Sequence, residues 1–306
     1  MARKRCVYAR RVGAVRTVIA AALNVLCTTG AVLGCGSCRD APAAEQPAAV
    51  PGGALVQATK EGERKDSTAP EGGRGESADE GRLPPLASVG ALVSLAVPGF
   101  GDAVVSLPLG ARARKPVMLA IHGNYDRADF QCGLWRSMVQ DRGFILCPRG
   151  VARSDSPGPD DIRFTYEGKF AAELDAAIAA LHERYGVWVD PGPMIYIGFS
   201  LGAILARGYA TRAPSRFDRF VLIEGGASGW DARASSKAGI QRMLWACGQS
   251  PCVDAGRAAA ASFERANVPS KVVYAKGAGH TYGAAVAETV RAEWEWLVSG
   301  DPRWSP

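Results

Sequence analysis

Six stretches of the chain are continuously apolar, without alternation of polar and apolar residues. They are Val117–Ile121, Phe144–Cys147, Met194–Ile197, Phe220–Ile223, Met243–Cys247 and Val272–Ala275. Strands with one buried face alternate, whereas strands covered by helices on both faces do not. Stretches compatible with helices lie between the runs, at Cys132–Arg142, Lys169–Tyr185 and Ser200–Thr211. This order predicts an α/β fold, a doubly wound and mainly parallel sheet between two helical layers.

Two further strands are predicted ahead of these runs. Leu92–Val97 and Ala103–Leu107 are separated by Pro98-Gly99-Phe100-Gly101, a sequence typical of a turn, and therefore predict an antiparallel hairpin. The folded domain is predicted to cover residues 86–306, which is long enough for one domain with a sizeable core.

The run Gly198-Phe199-Ser200-Leu201-Gly202 connects a predicted strand to a predicted helix. A serine between two glycines at such a junction is typical of a nucleophile elbow, a turn so sharp that the serine backbone is strained. The alternative is an ordinary turn in a glycine-rich chain. In the elbow interpretation, Ser200 is the candidate nucleophile and needs a base to take its proton.

The chain has three histidines, so each can be considered as that base. His182 flanks the apolar stripe of a predicted helix and is expected at the surface. His122 opens His122-Gly123-Asn124 directly after a predicted strand, in the position of an oxyanion loop. His280 follows a strand and the flexible loop Gly277-Ala278-Gly279, just before the last predicted helix. His280 is therefore the candidate base.

The order of these motifs, from His-Gly through the serine elbow to Gly-Ala-Gly-His, resembles the α/β-hydrolase superfamily. The resemblance covers about the last 190 residues and is closest to secreted bacterial esterases or peptidase-like members with little or no cap domain. It implies an acyl-transfer mechanism in which the backbone N–H groups of Leu201 and Asn124 form the oxyanion hole. A short connection between Ile223 and Met243 predicts an open site, rimmed by the loop Pro148–Asp161.

The acid of a Ser-His-acid triad is left open between two residues. In most relatives it follows the strand equivalent to Met243–Cys247, where this chain has Ser250 and Pro251, and Asp254 comes slightly later. Glu224 ends the preceding strand and is followed by two glycines, a position that some family members use. Glu224 is the favoured acid and Asp254 the alternative. A strand-end carboxylate paired with Arg219 is the purely structural interpretation of Glu224.

The first 34 residues are typical of an export signal. Six of the 36 Lys and Arg residues lie there, followed by the apolar stretch Thr17–Leu33. Val32-Leu33-Gly34-Cys35 resembles a bacterial lipobox, which makes Cys35 the predicted lipidation site; cleavage without lipid and a retained anchor are the alternatives. Residues 35–85 are predicted to form a disordered tether, because Gly36–Pro85 contains no aromatic residue. The expected location is the bacterial cell envelope, facing the periplasm or the exterior.

The net charge of +6 is a property of this leader. The remaining 30 basic residues equal the 30 acidic residues in number, and no basic patch with interleaved aromatics is present. We therefore expect no nucleic-acid partner.

The cysteines fit an oxidising compartment. Cys132 with Cys147, and Cys247 with Cys252, are the simplest local pairs, and buried free thiols are the alternative. Cys35-Gly36-Ser37-Cys38 lies in the predicted tether and is interpreted as the lipid site plus a neighbouring cysteine, not as a redox motif. No Cys-x-x-Cys pair has the spacing of a zinc site, so neither a metal nor another cofactor is expected.

These observations together predict a serine hydrolase acting on a carboxylic ester or an amide through an acyl-enzyme. The partners implied are an acyl ester or peptide substrate and, through the lipid, a membrane. Two other functions stay open. One is a catalytically inactive binding lipoprotein on the same fold, and the other is an acyltransferase with the same triad.

Overall fold

The computed structural model of the chain describes residues 82–305. Eight strands form the main sheet in the order β1-β2-β4-β3-β7-β8-β9-β10, and β5 and β6 form a separate two-stranded sheet. The strands are β1 Leu92–Leu95, β2 Ala103–Ser106, β3 Val117–Ile121, β4 Phe144–Cys147, β5 Val151–Ala152, β6 Phe164–Thr165, β7 Met194–Phe199, β8 Phe217–Ile223, β9 Arg242–Cys247 and β10 Ser270–Tyr274.

The predicted fold class is confirmed. Strands β4, β3, β7, β8, β9 and β10 are parallel neighbours, and β1 and β2 are antiparallel. The helices are α1 Ala128–Val139, α2 Phe170–Tyr185, α3 Leu201–Arg212, α4 Ala232–Lys237, α5 Ser250–Arg265, α6 Ala284–Ala292 and α7 Trp294–Val298, followed by a 3₁₀ turn at Pro302–Trp304. Helix α1 begins four residues before the predicted start at Cys132.

The absence of alternation in the strands follows from two apolar layers, one on each face of the sheet. Leu119 and Ile121 of β3 pack into the layer that contains α2 and α3. Met118 and Ala120 of the same strand pack into the opposite layer, with α1, α6 and α7. Both faces of the strand are therefore core, as expected for a parallel sheet covered on two sides.

Helices α2 and α3 are also linked by a polar contact at Asp175. Its carboxylate accepts hydrogen bonds from Tyr209 (2.8 Å), Arg212 (2.7 Å) and Arg216. Burial opposes ionisation, but these three donors outweigh burial and lower the pKa of Asp175. The charged carboxylate therefore stabilises the packing of the two helices.

The last residues of the segment predicted as a tether form hydrogen bonds with the folded domain. Leu83 N donates to Arg112 O (3.0 Å), and Trp188 Nε1 donates to Pro84 O (3.0 Å). These contacts attach the three residues before the predicted start at Leu86. The predicted signal segment, Cys35 and the tether up to residue 81 lie outside the described residues. Within residues 82–305, none of the helices has both the length and the apolar character to cross a membrane.

Candidate active site

Ser200 lies in the turn between β7 and α3, at the carboxyl edge of the parallel strands. Its backbone has φ 50° and ψ −110°, a conformation that L-residues rarely adopt. The flanking glycines allow this turn. A Cβ on Gly198 would lie 2.7 Å from the backbone of Gly202, and a Cβ on Gly202 would overlap Ile121 O. The turn thus has the geometry of a nucleophile elbow, with strand and helix in close contact.

His280 reaches Ser200 from the loop that follows β10. Its Nε2 lies 2.8 Å from Ser200 Oγ, within hydrogen-bond distance. Gly277 and Gly279 in this loop have φ near 80° (81° and 80°), which a side chain would disfavour. The ring packs against Phe199, with centroids 5.1 Å apart, while 49% of the His280 side chain stays exposed.

Glu224 reaches the other ring nitrogen of His280. Its Oε2 lies 3.4 Å from His280 Nδ1, and only 1% of the Glu224 side chain is exposed. The second oxygen, Oε1, accepts hydrogen bonds from the backbone N–H groups of Gly248 and, at 3.1 Å, Gln249. The carboxylate is thus held by two amides on one side and faces the imidazole on the other. Glu224 has a positive φ of 52°, so a second strained residue lies in the site.

The alternative acid lies elsewhere. Asp254 is on α5 with its side chain exposed, and no hydrogen bond or ion pair links it to His280. The proposed structural partner of Glu224 is also distant, because Arg219 bonds to Asp218 and Leu297 at the opposite end of β8. The cause is the chain path after β9. There Gln249 leads directly into α5, and the backbone amides of this turn face the site while Asp254 faces solvent.

The loop after β3 contains Asn124, one of the two predicted oxyanion donors. His122 is fully buried, and its ring nitrogens lie 2.7 Å from Gly123 O and 2.8 Å from Arg149 O. This ring anchors the loop and does not reach Ser200. A Cβ on Gly123 would lie 2.8 Å from the Phe199 ring, so glycine allows the loop to approach the elbow. Leu201 N–H is in the first turn of α3, where the helix leaves amides without an internal acceptor.

The loop predicted to rim the site contacts the oxyanion loop through side chains. Arg153 Nη1 donates to Asn124 Oδ1 (2.8 Å), and Tyr125 OH donates to Asp155 O (3.0 Å). The small pair of strands β5 and β6 braces this rim and was not predicted, because each strand has only two residues. His182, expected at the surface, is exposed on α2.

One contact near the site was missed altogether. Tyr282 OH donates to Asp126 Oδ1 (3.0 Å), which ties the histidine loop to the oxyanion loop. Burial raises the pKa of Asp126, although His122 and the donated hydrogen bonds oppose the change. Burial, reinforced by Asp126, likewise raises the pKa of Tyr282. The two residues are 156 positions apart, so no local spacing could have indicated their contact.

Both predicted cysteine pairs are brought to disulfide geometry. The Cα atoms are 6.0 Å apart for Cys132 and Cys147, and 5.6 Å apart for Cys247 and Cys252. Within residues 82–305, Glu224, Cys247 and Cys252 form a cluster whose potential ligand atoms lie within 4.8 Å of one another. Metals bind the thiolate form of cysteine. With the two sulfurs at disulfide distance from each other and Glu224 bonded to two amides, this donor set does not suit a metal.

Comparison with known proteins gives structural relatives only. No family model and no curated protein matches the sequence. The fluorophosphonate-binding serine hydrolase F of Staphylococcus aureus, in its substrate-bound form, has a TM-score of 0.51 at 12% identity, over 68% of this chain and 97% of that one.

Esterase PE8 has a TM-score of 0.49 at 18% identity, over 67% of this chain and 100% of that one. Est1E from Butyrivibrio proteoclasticus has a TM-score of 0.48 at 11% identity, over 68% of this chain and 98% of that one. The strand order, the strained elbow and the likeness to the Staphylococcus aureus protein agree. This chain has the fold of the α/β-hydrolase superfamily.

Proposed function

We propose that the chain is a serine hydrolase that cleaves a carboxylic ester through an acyl-enzyme. The observation that carries the proposal is a continuous line of contacts. It runs from Ser200 Oγ through both ring nitrogens of His280 to the buried carboxylate of Glu224. A nucleophile, a base and an orienting acid in this order are the parts that acyl transfer requires.

In the first half of the reaction, Ser200 Oγ attacks the ester carbonyl carbon while His280 Nε2 takes its proton. The carbonyl oxygen becomes an oxyanion, which the N–H groups of Leu201 and Asn124 stabilise. One such donor typically contributes about 3 kcal/mol. The C–O bond of the ester then breaks, and the leaving alcohol takes the proton from Nε2. The acyl group remains on Ser200.

Water completes the reaction. It loses a proton to His280 Nε2 as its oxygen attacks the acyl carbon, and the acid product leaves as Ser200 Oγ regains that proton. About half of the His280 side chain is exposed (49%), so water has access to this nitrogen.

Glu224 has a positioning role in this scheme. Its Oε2 accepts a hydrogen bond from the N–H at Nδ1 of His280. This contact fixes the tautomer of the ring and stabilises the imidazolium that forms. The two amides on Oε1 keep the carboxylate from rotating away. Because Glu224 is buried and half of the His280 side chain is exposed, the orientation of the ring depends on the acid as well as on packing against Phe199.

The location of this activity is also a proposal. The basic start, the apolar stretch Thr17–Leu33 and the Gly34-Cys35 junction support a lipid anchor on Cys35. The catalytic domain would then act at a membrane surface, on substrates that reach an open site.

The test is covalent labelling with a fluorophosphonate, in which Ser200 Oγ displaces fluoride and forms a phosphonyl ester. We expect one adduct, on Ser200, and none in Ser200→Ala. Ser215→Ala is the matched control, since Ser215 is also a serine with positive φ (64°) but is exposed and remote from His280. A panel of acyl esters and peptides then separates ester from amide cleavage. Failure of the wild type to label, or an adduct on another residue, would refute the proposal.

A further inference from the structure

The turn between β9 and α5 joins the acid to the histidine loop. Cys247 ends β9 and is fully buried, and Cys252 lies in the first turn of α5. The pair brackets Gly248 and Gln249, and its Cα atoms are 5.6 Å apart. We call residues 247–252 the cysteine clip.

Backbone groups of the clip form hydrogen bonds both to Glu224 and to the loop that carries His280. The N–H groups of Gly248 and Gln249 donate to Glu224 Oε1. The carbonyl of Gly248 accepts from Gly279 N (3.3 Å), the residue just before His280. A Cβ on Gly248 would overlap Gly279 O, so the two backbones are in direct contact.

After His280 the loop is held by Tyr282, whose hydroxyl donates to Asp126 Oδ1, whereas before His280 its backbone bonds to Cys247 and Gly248 of the clip. Gly277 and Gly279 both have positive φ, which gives this loop wide conformational freedom in the absence of contacts. The His280 side chain is 49% exposed, so packing restrains it only on the Phe199 side. Glu224 also needs both amides in place, because rotation about its side chain would turn Oε2 away from Nδ1. The clip therefore contributes to the position of both groups.

We propose that the Cys247–Cys252 bond is a positioning element of the catalytic site. By closing the turn, it fixes the two amides on Glu224 and the carbonyl on Gly279. It touches neither the substrate carbonyl nor Ser200. Opening the bond therefore lowers the rate of the chemical step and leaves substrate binding largely unchanged. This inference rests on the proposed serine hydrolase function.

The test compares two double variants. In Cys247→Ala/Cys252→Ala the clip is open, and we expect kcat to fall about 10²-fold, the loss typical of a displacement near 1 Å at a catalytic group. We expect KM to change little and the fluorophosphonate labelling rate to fall with kcat. The matched control is Cys132→Ala/Cys147→Ala, which removes the other pair from α1 and β4. That control is expected to lower the melting temperature while keeping kcat.

Reduction of the folded wild type provides a second measurement that does not depend on how a variant folds. A dithiol reductant passes two electrons and two protons to the two sulfurs and itself becomes a disulfide. Alkylation and peptide mapping then report which pair has opened. We expect kcat to fall when Cys247 and Cys252 are alkylated, and to return when the unalkylated protein is reoxidised.

The outcomes are distinguishable. If the wild type labels at Ser200 and the open-clip protein keeps kcat within about threefold in both measurements, the positioning role is refuted while the hydrolase proposal stands. A parallel rise in KM with unchanged kcat would also refute it. If the wild type itself does not label, the proposed function fails, and this inference fails with it.

Discussion

Replacing Glu224 by Gln tests the orientation of His280 with the smallest change of shape. The single oxygen of the new amide can still accept hydrogen bonds from the N–H groups of Gly248 and Gln249, as Oε1 does now. The NH₂ group then faces His280 Nδ1, where Oε2 lies at 3.4 Å. An amide donor there favours the tautomer with the proton on Nε2, which cannot take a proton from Ser200.

We therefore expect kcat to fall by about 10⁴-fold, the loss typical of a wrong tautomer in a serine triad. This corresponds to roughly 5 kcal/mol of transition-state stabilisation at 1.36 kcal/mol per factor of ten. Stability should change far less, by about 1 kcal/mol, because both amide hydrogen bonds keep an acceptor and only the charge is lost. The kinetic loss and the stability loss are thus well separated.

The assay is steady-state hydrolysis of a chromogenic acyl ester, with fluorophosphonate labelling rates as a second readout and chemical denaturation for stability. Asp254→Asn is the control, since it removes a carboxylate from the exposed face of α5 and should keep kcat. A larger loss in Asp254→Asn than in Glu224→Gln would refute the assignment of the acid. Two nearly silent variants would indicate a Ser-His dyad or a protein without this activity.

Two further predictions concern stability. Tyr282→Phe leaves Asp126, whose Oδ2 already has no partner within residues 82–305, with one donor fewer, and should lower the free energy of unfolding by about 1–3 kcal/mol in chemical denaturation. Tyr274→Phe, which changes an exposed tyrosine at the end of β10, is the control, and an equal loss there would contradict the argument. Asp175→Asn should cost roughly 1 kcal/mol or less at pH 7, because the partly exposed carboxylate is screened by solvent. A lowered carboxyl pKa contributes stability that is complete above the ordinary value of about 3.9 and is lost as the pH falls toward the folded value. The melting temperatures of Asp175→Asn and wild type should therefore approach each other as the pH falls below about 4. Glu183→Gln, which changes an exposed acid of the same helix, should follow wild type at every pH. A constant difference between Asp175→Asn and wild type at all pH values would refute the role of the charge.

Much of the sheet could be predicted, because strands buried on two faces leave an unmistakable pattern. Runs such as Val117–Ile121 and Phe144–Cys147 match the observed strands residue for residue. Other boundaries moved by a few residues. Strand β8 begins at Phe217, since Asp218 and Arg219 are polar but buried and paired with each other. Polarity alone could not distinguish such a buried ion pair from a loop.

Less of the candidate site than of the sheet could be predicted from the sequence. Ser200 and His280 carry local glycine patterns that predict their turns, and the structure brings them together. The choice between Glu224 and Asp254 depended on how the backbone turns after β9, which spacing does not determine. Contacts made by backbone amides, such as those on Glu224 Oε1, are invisible in side-chain chemistry. The bond between Tyr282 and Asp126 depends on two distant loops meeting, so only the folded chain shows it.

The place of β10 at the edge of the sheet has a consequence for how this protein loses its site. Strand β8, which Glu224 directly follows, is buried along its whole length, whereas β10 is only partly buried and pairs with β9 alone. Segments with little burial and few neighbours open locally before the molecule unfolds as a whole. Local opening of β10 would carry His280 away from Ser200 while β7 and β8 keep their native structure. The molecule would then pass through a partially open form, folded in its centre and without its base, between the native and the denatured state.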